Sequence, residues 1–145
     1  MKDMIKRIRE EREGFILAEL LIVVAIIAVL VAIAIPVFNS QLEKSRDAVT
    51  VANLRTAYAE AQTAYLTGSS GGNAIYGKTA DTVTVAVSNV VAKGKSDGFS
   101  DLEAELPFNT VGCTVMGSKA DIYTVKFTYD ANGAITSVTA EKASK

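Results

Sequence analysis

The sequence predicts an α+β fold: a long, kinked N-terminal helix whose first half is transmembrane, packed by its C-terminal half against a small antiparallel β-sheet head. Three observations carry this. Residues 15–35 form an apolar run with a single charged side chain, Glu19. An amphipathic pattern continues past Pro36 to Tyr65 and stops at a Gly/Ser cluster. Alternating apolar residues then flank Asn132-Gly133, a strong hairpin signal.

The apolar run comes first because it sets the scale. At about 1.5 Å per residue it makes a helix of roughly 30 Å, the thickness of a hydrocarbon core. A soluble core helix needs a polar face, and this run has none. Residues 1–14 precede it and are densely charged, with Lys2, Lys6, Arg7, Arg9 and Arg12 among them. Lys and Arg counts set orientation, so this end is expected to stay cytoplasmic.

Glu19 is the costly residue. A charge at the centre of an inserted helix costs about 2.5–3.5 kcal/mol, and less near an end. Each Leu, Ile, Val or Phe returns roughly 0.3–0.6 kcal/mol, and the run has more than a dozen. Insertion therefore survives Glu19. In a bundle of helices away from water, however, an unpaired carboxylate needs a counter-ion, and no Lys or Arg lies between residues 13 and 43. Cleavage after Gly14 would create one, because Phe15 would then carry a cationic α-amine four residues from Glu19, or beside the Glu19 of a staggered neighbour. Two other readings stand beside this one. Ala32-Ile33-Ala34 has the A-x-A pattern of a secretory cleavage site, although the run before it is long and carries an acid. A permanent anchor fits everything except the placement of Glu19.

Gly14, Phe15, Glu19 and Pro36, with the wording of residues 19–27 and 32–36 between them, resemble the type IV pilin (class III) signal. In that family a charged leader ends in Gly, the mature chain begins with Phe, Glu stands at the fifth mature position and Pro at the twenty-second. The match covers about the first third of the chain. It implies leader removal between Gly14 and Phe15 by a prepilin peptidase, N-methylation of Phe15, and pairing of Glu19 with a neighbour's Phe15 amine during subunit assembly. An ATPase-driven assembly machinery would then draw subunits from the inner (cytoplasmic) membrane into an extracellular helical homo-oligomer, a pilus serving adhesion or motility. A pseudopilin of a type II secretion or competence apparatus shares the signal and is the near alternative. A permanently anchored protein with a binding head is the distant one. Ala28 departs from the pattern, which often has Gly there, in a stretch that loosens in assembled filaments of the family.

The organisation that follows is a leader at 1–14, an assembly helix at 15–36, an amphipathic helix at 37–67 and a head at 68–145. Pro36 should kink the helix by removing a donor and crowding the preceding turn, giving one rod from residue 15 to 66 of about 80 Å. Phe38, Leu42, Ser45, Val49 and Ala52 recur at 4-3-4-3 spacing, then Leu54, Tyr58, Ala61 and Tyr65 at 4-3-4. Tyr58 and Tyr65 are expected in the core, and the charges at 43–47 on a solvated face or in filament contacts.

In the head, the cluster at 67–73 ends the helix and opens an αβ-loop. Residues 79–93 fit strand or helix; Asp81 as an N-cap and Gly94 as a stop tip the reading narrowly to a helix. Ser100 to Glu103 has the form of a capping box before a short turn. A two-residue loop at Asn132-Gly133 pairs Tyr129 with Thr136, Phe127 with Val138 and Val125 with Ala140. Cys113 and Val115 are expected in a further strand paired with Val125 and Tyr123, giving about three strands.

Composition narrows the function classes. The net charge is −1, so nucleic acid is possible but not indicated. There is no His and one Cys, which removes His-based acid–base catalysis and an intrachain disulfide. Asp101, Glu103 and Glu105 lack the alternating ligands of a calcium loop, and Cys113 reads as a buried small hydrophobe. The expectation is a structural protein and not an enzyme, with no catalytic residues, no cofactor and no metal.

Overall fold

The computed structural model describes residues 1–96 and 98–144. The chain divides into two compact units, Met1–Ser40 and Gln41–Lys145. The element order is α1 (Lys2–Thr67), β1 (Ala74–Lys78), β2 (Val83–Ala92), a 3₁₀ turn (Leu102–Glu105), α2 (Val115–Ser118), β3 (Asp121–Tyr129) and β4 (Ile135–Lys142). The architecture is α+β, with the later turns of α1 packed on one face of an antiparallel sheet ordered β1-β2-β3-β4.

The first unit is the helix alone. α1 is helical through Gly14 and through Pro36, so the Ala32 carbonyl lacks the donor that residue 36 would otherwise supply. Its side chains are exposed throughout this unit. It contains the one candidate membrane span among the described residues, a window with none of its surface buried.

In the second unit the helix turns Asp47, Thr50, Val51, Leu54, Ala57, Ala61 and Ala64 inward. These positions recur at three and four residues and make a single buried stripe. The earlier stripe of Phe38, Leu42, Ser45, Val49 and Ala52 is exposed, with Val49 45% exposed. Tyr58 and Tyr65 lie at its margin, half-buried, as the core reading requires. Tyr65 stacks on Tyr129 with ring centroids 4.3 Å apart, and Phe108 meets Phe127 edge-on at 5.3 Å. The helix stops where the Gly/Ser cluster predicts: Gly68 takes φ 66°, and Ser69 N–H donates to Ala64 C=O at 3.3 Å, the closing bond of a Schellman motif.

Residues 79–93 are not a helix. Their core is β2, and β1 before it is a fourth strand that the sequence reading does not contain. Thr79 and Thr82 close the β1–β2 turn through Thr79 N–H to Thr82 C=O at 2.9 Å, and Asp81 lies in that turn rather than at a helix cap. The spacing Val83, Val87, Val90 that suits a helix face has another origin. The register shifts between Val87 and Val90, with Asn89 at φ 61°. This bulge inserts a residue and changes the parity of the strand, so that Val85 and Val87 before it and Val90 and Ala92 after it all point inward.

The β3–β4 hairpin keeps the expected pairs Phe127↔Val138 and Val125↔Ala140. Near the turn it departs from them: a shift between Thr128 and Tyr129 pairs Tyr129 with Ile135, not Thr136. The loop is five residues because Asp130 organises it, its Oδ1 accepting from the N–H groups of Asn132 at 2.8 Å and Ala134 at 2.9 Å.

Cys113 and Val115 form no strand with β3. Successive turns, Cys113 N–H to Thr110 C=O at 2.8 Å and Met116 N–H to Cys113 C=O at 2.9 Å, lead into α2. The local bonds win over the alternation of apolar residues. The segment does reach the sheet edge through the backbone, where Ala140 N–H donates to Gly112 C=O at 3.0 Å on the outer side of β4. The opposite edge is also occupied in part. Ala74 exchanges hydrogen bonds with Gly71 at 3.0 Å, and Tyr76 N–H donates to Ser70 Oγ at 2.8 Å.

Candidate functional site

The four positions singled out in the sequence lie in the first unit on one helix. Gly14 is helical, and a Cβ there would meet nothing within 4 Å. Its φ is not in the left-handed region. A mid-helix glycine costs about 1 kcal/mol relative to alanine, so neither packing nor backbone conformation accounts for Gly14. Phe15 is 69% exposed, and Glu19 lies one turn further on, exposed and without a hydrogen-bond or ion-pair partner among the described residues. Positions i and i+4 share a helix face, so Phe15 and Glu19 do. Pro36 closes the apolar run further along the helix, and Ala28 between them is helical and exposed.

The second unit gathers a polar site around the charges at 43–47, which the sequence assigns to a solvated face or to filament contacts. Glu43, Asp47 and Thr50 are successive positions on α1 that together hold the loop after β2. Glu43 Oε1 accepts from the N–H groups of Lys95 at 2.6 Å and Ser96 at 2.9 Å. Thr50 Oγ1 accepts from Lys93 N–H at 2.9 Å. Asp47 is fully buried, and its Oδ2 accepts from the Ser100 hydroxyl. That bond replaces the expected capping box: Asp101 at the start of the 3₁₀ turn makes no side-chain cap bond. Burial pushes the Asp47 carboxyl above its ordinary 3.8, and the charges of Glu43 and Glu103 push the same way, against the Ser100 bond. For Glu43 burial also pushes upward, but the bonds from Lys95, Ser96 and Arg46 outweigh it and hold the carboxyl below 4.5. A run of polar residues in sequence did signal a polar surface; that it faces a loop with unpaired N–H groups was not visible.

Cys113 is buried with its thiol pushed up to about 12 by loss of solvation, which removes the thiolate that reactivity requires. Asp101, Glu103 and Glu105 do not converge, and Glu105 pairs with Arg55 at 2.8 Å. No group of three potential metal ligands occurs among the described residues.

Comparison with family models, with curated proteins and with solved structures gives no match in any of the three.

Proposed function

We propose that this chain is a type IV pilin-like subunit, processed after Gly14, methylated at Phe15 and assembled into a helical filament through its N-terminal helix. The observation that carries the reading is the arrangement of Gly14, Phe15, Glu19 and Pro36 on one exposed apolar helix. Gly14 has no structural reason of its own and is the residue whose peptide leaves a helix most cheaply, which suits a cleavage position. Glu19 lacks a cation, and the amine released by that cleavage supplies one. The large apolar surface from Phe15 to Phe38 is uncovered, and it first serves as a membrane segment, then as the wall of a bundle. In this reading the partners are further copies of the chain, a prepilin peptidase and the assembly machinery.

Sequencing the N-terminus of the mature protein tests the proposal. A chain that starts at methylated Phe15 supports it; one that starts at Ile35, or at Met1, overturns it. Microscopy of sheared surface material then separates a pilus from a pseudopilus, since only the former yields long fibres containing this chain.

A further inference from the structure

The head holds a second unanswered carboxylate, independent of the filament reading. A groove of about 510 Å³ runs between the last turns of α1 and the loop at 69–73, and Glu60 lies in its wall. A smaller cavity of about 190 Å³ under the β2 bulge shares Thr56, Glu60 and Asn73 with it. Glu60 Oε2 is buried without a hydrogen-bond partner. Neither cavity is lined by Lys or Arg, and Arg55, five residues before Glu60 on α1, is engaged with Glu105.

The threonine and asparagine side chains beside Glu60 on α1 have spent their donors elsewhere. Thr56 Oγ1 donates to Ala52 C=O at 3.1 Å, Thr63 Oγ1 to Ala59 C=O at 2.9 Å and Thr67 Oγ1 to Thr63 C=O at 2.8 Å. Asn53 Nδ2 donates to Val91 C=O at 2.8 Å, and Asn89 Nδ2 to Asn73 Oδ1 at 3.2 Å. What remains is one anion, the threonine oxygens as acceptors, the Ser70 hydroxyl and Asn73 amide on the facing loop, and the apolar wall made by Ala59, Ala64 and the threonine methyl groups. The buried Oε2 of Glu60 has no donor of its own, and a cation carrying several donors would supply one.

We propose that this groove binds an alkylammonium group, with the ammonium on Glu60 and the threonine oxygens and the aliphatic stem along Ala59 and Ala64. Lysine has this chemistry: three donors on a compact charge at the end of a methylene chain. The group can arrive on a free amine or on the lysine side chain of a peptide, and the two sources are separable.

The test uses the full chain in detergent micelles and follows backbone amide chemical shifts. The probes are n-pentylammonium, its neutral isostere n-pentanol, and a blocked Gly-Lys-Gly peptide. Pentylammonium should shift Glu60, Thr63 and residues 69–73 saturably, and Glu60→Gln should weaken that binding at least about tenfold while leaving the remaining resonances in place. Tighter binding of the peptide assigns the site to a protein side chain, and tighter binding of the free amine assigns it to a small cation; both support the chemistry. Equal binding of pentanol, unchanged binding to Glu60→Gln, or no saturable shift with either cationic probe overturns it. None of these readouts requires processing or filament formation.

Discussion

Asp47 and Ser100 meet side chain to side chain across 53 positions of sequence, and one oxygen of Asp47 is left with no partner. One turn earlier on the same helix, both oxygens of Glu43 are supplied, Oε1 by two backbone N–H groups and Oε2 by Arg46. The two acids therefore pull stability in opposite directions with pH. Asp47 has a raised folded-state pKa, so its contribution is present below 3.8 and is lost as pH rises from there through the raised value. Glu43 has a depressed one, so its contribution is present above 4.5 and is lost as pH falls through the depressed value. Asp47→Asn should melt at or above the wild-type temperature at neutral pH, with the difference disappearing below 3.8. Glu43→Gln should lose about 1 kcal/mol at neutral pH and converge on wild type in acid. Thermal melts across the acid range check both; a neutral-pH gain for Glu43→Gln is the result that contradicts the assignment.

The direction of the helix stripe is tested by two truncations. Leu54 is fully buried and Val49 is 45% exposed. Leu54→Ala should cost about 3 kcal/mol in urea unfolding, and Val49→Ala no more than about 0.5 kcal/mol in the unassembled chain. If Val49→Ala costs as much as Leu54→Ala, the stripe expected from the 4-3-4-3 spacing is the packed one.

Gly117 is a close-approach glycine: a Cβ there would meet the Gly98 carbonyl, which is backbone and cannot turn aside. Gly71 has nothing within 4 Å of the same atom and no positive φ. Gly117→Ala should destabilise the head by about 2 kcal/mol or more, whereas Gly71→Ala should lie within about 0.5 kcal/mol of wild type. Equal denaturation midpoints for the two variants would contradict this packing.

For the N-terminal helix, Glu19→Ala should still be processed at Gly14 and still partition into membranes, yet enter filaments poorly, by about tenfold or more. Each readout is separate: N-terminal sequencing, membrane fractionation and yield of sheared fibres. Filament yield at the wild-type level would remove the argument that Glu19 answers the Phe15 amine.

Much of the fold was legible wherever one local rule acted alone. The apolar run, the stop at Gly68 and the pairs Phe127↔Val138 and Val125↔Ala140 each follow from periodicity or turn chemistry. The misreadings share a cause, a local pattern overruled by a partner distant in sequence. Asn89 shifts the parity of β2 and makes a strand resemble a helix face. Asp47 reads in sequence as part of a solvated face or a filament contact until the loop after β2 brings the Ser100 hydroxyl to it. Cys113 and Val115 alternate like a strand, but turns close around them. Of the candidate site, Gly14, Phe15, Glu19 and Pro36 stand in sequence as they do on the helix. Glu60 gave no sequence signal, because a lone acid on a helix is usually solvated; its distinction is one oxygen that the folded head buries without a partner.

Both margins of the sheet are partly taken by the chain itself, through Gly71 and Ser70 beside β1 and Gly112 beside β4. An unpaired margin is a template on which another strand can grow. Heads that leave little such template can crowd together at high density without zipping into one another. In the proposed filament, growth would then fall to the apolar surface that residues 15–38 keep bare, and its timing to whatever unmasks that surface.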